Sequence, residues 1–212
     1  MKKATILCFC ISIMSVINAQ IVDYTREPGY RQHTGFYLSM SVGPNFASIN
    51  SEVPGYYDLT FKGTGAQFDV KIGGAVKENL ILHATLTSSA MSGPKITSDG
   101  ISEKTSNDIS LGEAMFGAGL TYYIMPSNFF LSGSVGLGNF TLIEGNNANS
   151  ISTDRGFSMQ LKIGKEWWVS KRWGLGIAMT YGTTNLTNSP GGGMEERMSS
   201  DNVGILFNAT LN

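Results

Sequence analysis

Cysteine is nearly missing from this sequence. Its two cysteines, Cys8 and Cys10, both lie in the first apolar run. Once that run is removed no thiol remains, which excludes disulfides, a cysteine metal site and a thiol nucleophile. Charge is scarce too, at 15% of residues where soluble domains carry about 25%. The net charge is −1 and falls to −3 when Lys2 and Lys3 are lost, so the basic stripe that nucleic acid requires is lacking. Histidine occurs only at His33 and His83. After the first apolar run, no stretch is apolar for long enough to make a transmembrane helix. Helical periodicity is scarce as well.

The beginning of the chain reads as a secretory leader. Lys2 and Lys3 precede an apolar run, and Ile17-Asn18-Ala19 supplies a small residue for a cut after Ala19. This divides the chain into a signal over 1–19, a short periplasmic segment over 20–33 and a barrel domain over 34–212.

From Phe36 onward, apolar residues alternate with small or polar ones, the period of two that marks a strand with two different faces. Eight segments do this. Phe36, Leu38, Met40 and Val42 alternate with Tyr37, Ser39, Ser41 and Gly43. Phe157, Met159, Leu161 and Ile163 alternate with Ser158, Gln160, Lys162 and Gly164. Three places break the pattern. Ile81 and Leu206 sit on polar faces. Ile109 and Leu111 share the parity of Glu113, which predicts a bulge or a strand end there. The connections alternate short and long. Short ones fall near Lys77-Glu78-Asn79, Pro126-Ser127-Asn128 and Ser170-Lys171-Arg172. Long polar ones cover roughly 48–62, 92–108, 144–154 and 187–201. These features predict an all-β fold: an eight-stranded antiparallel transmembrane β-barrel with short periplasmic turns and long extracellular loops.

Parity alone does not say which face meets lipid, and a soluble lipocalin-like barrel would reverse it. Three features favour lipid on the apolar face. The other face is rich in Gly and Ser, as in Gly133 to Gly138. It also carries the mid-strand charges and the second histidine: Asp69, Lys71, His83, Glu113, Lys162 and Glu166. In a narrow lumen these are expected to form a polar network, because an unpaired charge there is costly. Finally, aromatic residues gather at strand ends. Tyr122, Phe129, Trp167, Trp168 and Trp173 flank two of the short turns and are expected to form a girdle at headgroup level.

The segments "TYYIMPSNFFLSGSVGLG" and "GKEWWVSKRWGLGIA" resemble a group of bacterial outer-membrane barrel proteins, with an architecture similar to OmpA and OmpX. The resemblance implies location in the outer membrane and brings no catalytic residues. The final segment resembles the assembly signal read by the barrel-insertion machinery, carried here by Gly204, Phe207 and Ala209 after Asn202. Expected partners are outer-membrane lipid, that machinery and an unidentified surface ligand, with a monomer as the unit. No cofactor, metal site or catalytic residue is expected. The leading role is structural or interactive, carried by the extracellular loops. Alternatives are a narrow channel, then a lipid A-modifying enzyme using His83, then a soluble carrier.

Overall fold

A computed structural model describes residues 31–145, 149–191 and 194–212. The leader over 1–19, its cut after Ala19 and residues 20–30 lie outside the described residues. The strands in chain order are β1 (Phe36–Val53), β2 (Tyr57–Lys77), β3 (Leu80–Ser92), β4 (Lys95–Ser98), β5 (Ile101–Lys104), β6 (Ile109–Ile124), β7 (Phe129–Glu144), β8 (Asn149–Ser152), β9 (Gly156–Trp168), β10 (Trp173–Gly191) and β11 (Met194–Leu211).

Eight of them close into a barrel in the order β1-β11-β10-β9-β7-β6-β3-β2, with β2 returning to β1 and every neighbour antiparallel. Closure leaves no sheet edge within the wall. The pairing can be followed from Phe46 through Val203, Tyr181, Leu161, Gly133, Leu120, Leu82 and Gly74. It comes back to β1 at Phe36, ten residues from its start. Such a stagger tilts the strands by roughly 40°. Two of the tight turns place Asn79 and Asn128 at φ 64° and 56°, a left-handed conformation that asparagine tolerates better than most side chains.

The barrel is apolar outside and polar inside. Phe116 (68%), Phe207 (67%), Leu131, Ile163 and Ile177 are exposed, whereas Asp69, Lys71, Glu166 and Lys162 are buried. A soluble carrier would need the reverse. On β1 the outward residues from Phe36 to Phe46 cover about 33 Å of strand. At that tilt they make a band about 25 Å tall, the height of a barrel's apolar belt. The barrel therefore spans a membrane, with its tight turns on the periplasmic side.

One expectation is corrected. The connections expected to be long loops are largely strand. β1 and β2 run on to a short turn after Val53, and β10 and β11 extend to Gly191 and from Met194. The alternation persists above the lipid: Ile49, Ser51 and Val53 stay buried while Asn50 and Glu52 are exposed. A change from apolar to polar on the outward face looks in the sequence like a loss of structure. Where a bulge or a strand end is expected at Ile109–Leu111, the strand end is found, since β6 begins at Ile109. β6 pairs without a register shift with β7 from Ile109 to Ile124 and with β3 from Ser110 to Tyr122. Leu111 faces inward because the outer end of the lumen is itself apolar. It joins Ile49, Met91, Phe140, Leu186 and Met198 in a buried cluster.

Candidate functional site

The inward side chains form three layers. The outermost is the apolar cluster just described. The innermost, beside the periplasmic turns, holds Tyr37, Ile81, Tyr123, Phe130 and Ala178. Ile81, out of pattern in the sequence, belongs here. The wall also narrows around Phe130. A methyl on Gly164 would come within 2.7 Å of its ring, so glycine is needed for this approach.

Polar groups fill the space between. Asp69 accepts hydrogen bonds from Gln67 (2.9 Å) and Gln160 (3.2 Å) and pairs with Lys162 at 3.4 Å. Lys162 also donates to Ser41 and, at 3.1 Å, to Asn208. Asn208 donates to Glu166, which further accepts from Thr210 (2.7 Å) and Tyr123 (3.2 Å). Asp69, Lys162 and Glu166 thus share one chain of bonds. Lys71 and His83 share another. Lys71 donates to Ser132 at 2.6 Å, Ser132 accepts from Thr121, and Thr121 lies 2.9 Å from His83 Nε2. His83 Nδ1 lies 3.0 Å from Thr85 Oγ1, so both ring nitrogens are engaged. Glu113 has partners of its own: Thr184 (2.6 Å), Ser200 (2.8 Å) and Asn202 (3.1 Å).

Alternation puts Gln67, Gln160 and Asn208 on the polar faces of their strands without assigning them a role, and gives Tyr123 only a place among strand-end aromatics. Uncharged side chains carry no signal of their own, but Gln67 shares the parity of Asp69, Gln160 that of Lys162, Tyr123 that of Glu113 and Asn208 that of Asn202, which places each of them inside.

At the periplasmic mouth, residues 31–35 fold back across the opening. His33, the last residue of the segment expected at the periplasmic side, is fully buried. Its ring stacks on Tyr123 at 3.4 Å, and its Nε2 lies 2.8 Å from Asn128 Oδ1. Its backbone N–H donates to Asn79 Oδ1, and Arg31 donates to the carbonyl of Ser170 at 2.8 Å. The strap thus touches all three periplasmic turns. Desolvation lowers the His33 pKa below its ordinary value, against smaller opposing effects of Asn128 and Asn212.

The aromatic residues at this end divide by parity. Tyr122, Phe129, Trp167 and Trp173 are exposed on the outer face. Lys165 lies over the rings of Phe129 (4.8 Å) and Trp167 (5.6 Å). Trp168 does not belong with them. It has the parity of Glu166, its ring lies 4.9 Å from His33, and its Nε1 is buried. Trp168 helps to close the mouth.

On the closing strand β11, Phe207 points outward. Gly204 is turned into the lumen, where a methyl would meet Thr180 Oγ1 at 2.8 Å. Above the lipid band, the prolonged β1, β2, β10 and β11 form a projecting sheet. A cleft of about 800 Å³ opens there, lined by Asn50, Glu52, Asp58, Asn185, Arg197 and Ser199 among others.

The closed eight-strand sheet, outward apolar belt and inward polar network define a small outer-membrane β-barrel of OmpA/OmpX-like architecture. Solved structures of this class are similar. Neisserial surface protein A matches at 12% identity and a TM-score of 0.53, over 83% of this chain and 96% of that one. The outer membrane protein OprG of Pseudomonas aeruginosa matches at 11% identity and 0.53, over 85% and 98%. At these identities the likeness is one of fold. No protein-family model matches the chain, and no curated protein matches it.

Proposed function

We propose that the protein is a monomeric, non-enzymatic outer-membrane barrel whose role is carried by the sheet and hairpins it holds outside the cell. The observation that carries this reading is that the lumen is closed at both ends while strands on one side run well past the lipid. Ile49, Met91, Leu111, Phe140, Leu186 and Met198 fill the outer end. Tyr37, Tyr123, Phe130 and the strap at His33 fill the inner end. A narrow channel would need a polar path through both. The lipid A-enzyme alternative gains nothing from His83, whose ring nitrogens are occupied by Thr85 and Thr121. A general base needs a nucleophile or water within reach.

Tyr122, Phe129, Trp167 and Trp173 act in this reading as interfacial anchors. β11, with Gly204, Phe207 and Ala209, acts as the segment met by the insertion machinery after the leader is removed. The cleft beside Glu52 and Arg197 is where a surface ligand would bind. Protease treatment of intact cells tests the display. Cleavage within residues 187–201, leaving a membrane-embedded remainder, is expected. Protection in intact cells with cleavage only after permeabilisation would overturn it.

A further inference from the structure

Three lysines stand in one row beside the outer edge of the lipid band. Lys62 of β2 is the register partner of Lys95 of β4, and Lys95 is the partner of Lys104 of β5. Directly paired residues of antiparallel strands share a face, with Cβ atoms about 4.5–5.5 Å apart. That face is the outer one. Lys62 has the parity of exposed Phe68, while its neighbour Phe61 packs against the inner apolar cluster. All three lysines are exposed.

Like charges in direct register destabilise a sheet, so such a row calls for an anion. The protein supplies none in the row. Among the described residues, none of the three has an ion pair or hydrogen bond. Glu103 pairs with Ile96 and so lies on the other face. Asp58 shares the face but stands about 13 Å along β2 from Lys62. Ser48 is the partner of Lys62 on β1, and beyond it Asp201 is held by the Tyr181 hydroxyl.

Position identifies the anion. Thr64 is the register partner of Phe46, the last large apolar residue on the outward face of β1. Lys62 is the next outward position beyond Thr64, about 7 Å along the strand. Barrel tilt then lifts each further rung by roughly 3 Å. The row starts at the lipid edge and climbs through the layer where outer-leaflet headgroups lie. Lysine is a compact, flexible charge suited to phosphate oxygens.

We propose that Lys62, Lys95 and Lys104 form a phosphate-binding ladder that docks the β4–β5 hairpin onto the phosphorylated headgroups of outer-leaflet lipid. This inference rests on the membrane-spanning barrel and is independent of what the projecting sheet binds. The ladder gives the β4–β5 hairpin, whose one barrel strand partner among the described residues is β2, a second anchor.

Hydrogen–deuterium exchange over residues 95–104 tests it. The protein is reconstituted in phosphatidylcholine vesicles alone, with diphosphoryl lipid A, or with dephosphorylated lipid A. Exchange is expected to be at least roughly tenfold slower with the diphosphoryl lipid, given the attraction of each basic residue to an anionic surface. The slowing should vanish with the dephosphorylated lipid and in the triple variant Lys62→Ser, Lys95→Ser, Lys104→Ser. It should persist in Lys171→Ser, on the opposite side of the membrane. Heat-modifiable migration of every variant checks the barrel separately. Equal exchange in all three vesicles, or slowing that survives the triple variant, would overturn the proposal. Equal protection by inorganic phosphate in phosphatidylcholine vesicles would also overturn it, making the row a site for free anions.

Discussion

Asp69 and Lys162 show what a charge inside this barrel requires. Both are buried at a separation of 3.4 Å, and the remaining polar atoms around them are drawn from Gln67, Gln160, Ser41 and Asn208. Removing one partner leaves the other uncompensated, which costs about 3–5 kcal/mol. Asp69→Ala is therefore expected to lower unfolding stability by that amount in urea titrations in detergent. The paired replacement Asp69→Leu with Lys162→Met should recover most of the loss. Additive losses would contradict the coupling. The tryptophans give a second test at this scale. In variants keeping one tryptophan each, lipids brominated near the headgroup should quench Trp167 and Trp173 and leave Trp168 bright. Equal quenching of all three would return Trp168 to the girdle. The charged lumen residues were legible in the sequence because a charge on an alternating strand has one tolerable side. Trp168 departs from the girdle because its parity with Glu166, two residues before it, turns it inward although it stands beside a turn.

At the scale of elements, the barrel strands follow directly from alternation, and their limits do not. The outward face of β1 turns from Phe46 to Ser48, Asn50 and Glu52 where lipid ends, while its inward face stays buried to Val53. Polarity there reports a change of solvent, and strand pairing continues through it. The strap of residues 31–35 was invisible for another reason: a histidine in a polar stretch shows nothing of the mouth it enters. Docking the strap buries a neutral His33 against Tyr123 of β6, Trp168 of β9, Asn128 and Asn212, with Glu166 and Tyr37 one layer deeper. The buried imidazole has a lowered pKa, and a released one titrates near its ordinary value of 6.5. Docking is therefore at full strength above that pH. It weakens as pH falls from there toward the lowered value, by at most about tenfold per pH unit. Hydrogen exchange at residues 31–35 should speed up accordingly between neutral and mildly acid pH. His33→Phe, which keeps an aromatic ring on Tyr123, should remove that dependence. An unchanged pH profile in His33→Phe would assign the effect to another group.

For the whole molecule, the inversion of polarity decides the environment, and the layered lumen is what the proposed role rests on. An apolar belt about 25 Å tall faces outward around a polar centre, and that centre lies between an apolar cluster above and a largely aromatic one below. Ile81 and Leu111, which looked like flaws in the alternation, belong to those two seals. Their parity puts them on the inward face without explaining them, because only closure of the sheet gathers Leu111 with Met198 of β11, or Ile81 with Phe130 of β7. The most direct test of a sealed, surface-displaying barrel is single-channel recording of the purified protein in planar bilayers at neutral pH. The predicted result is a quiet baseline without regular conductance steps, from protein whose heat-modifiable migration shows a folded barrel. Reproducible steps of uniform size from the same preparation would contradict the sealed lumen and favour a channel.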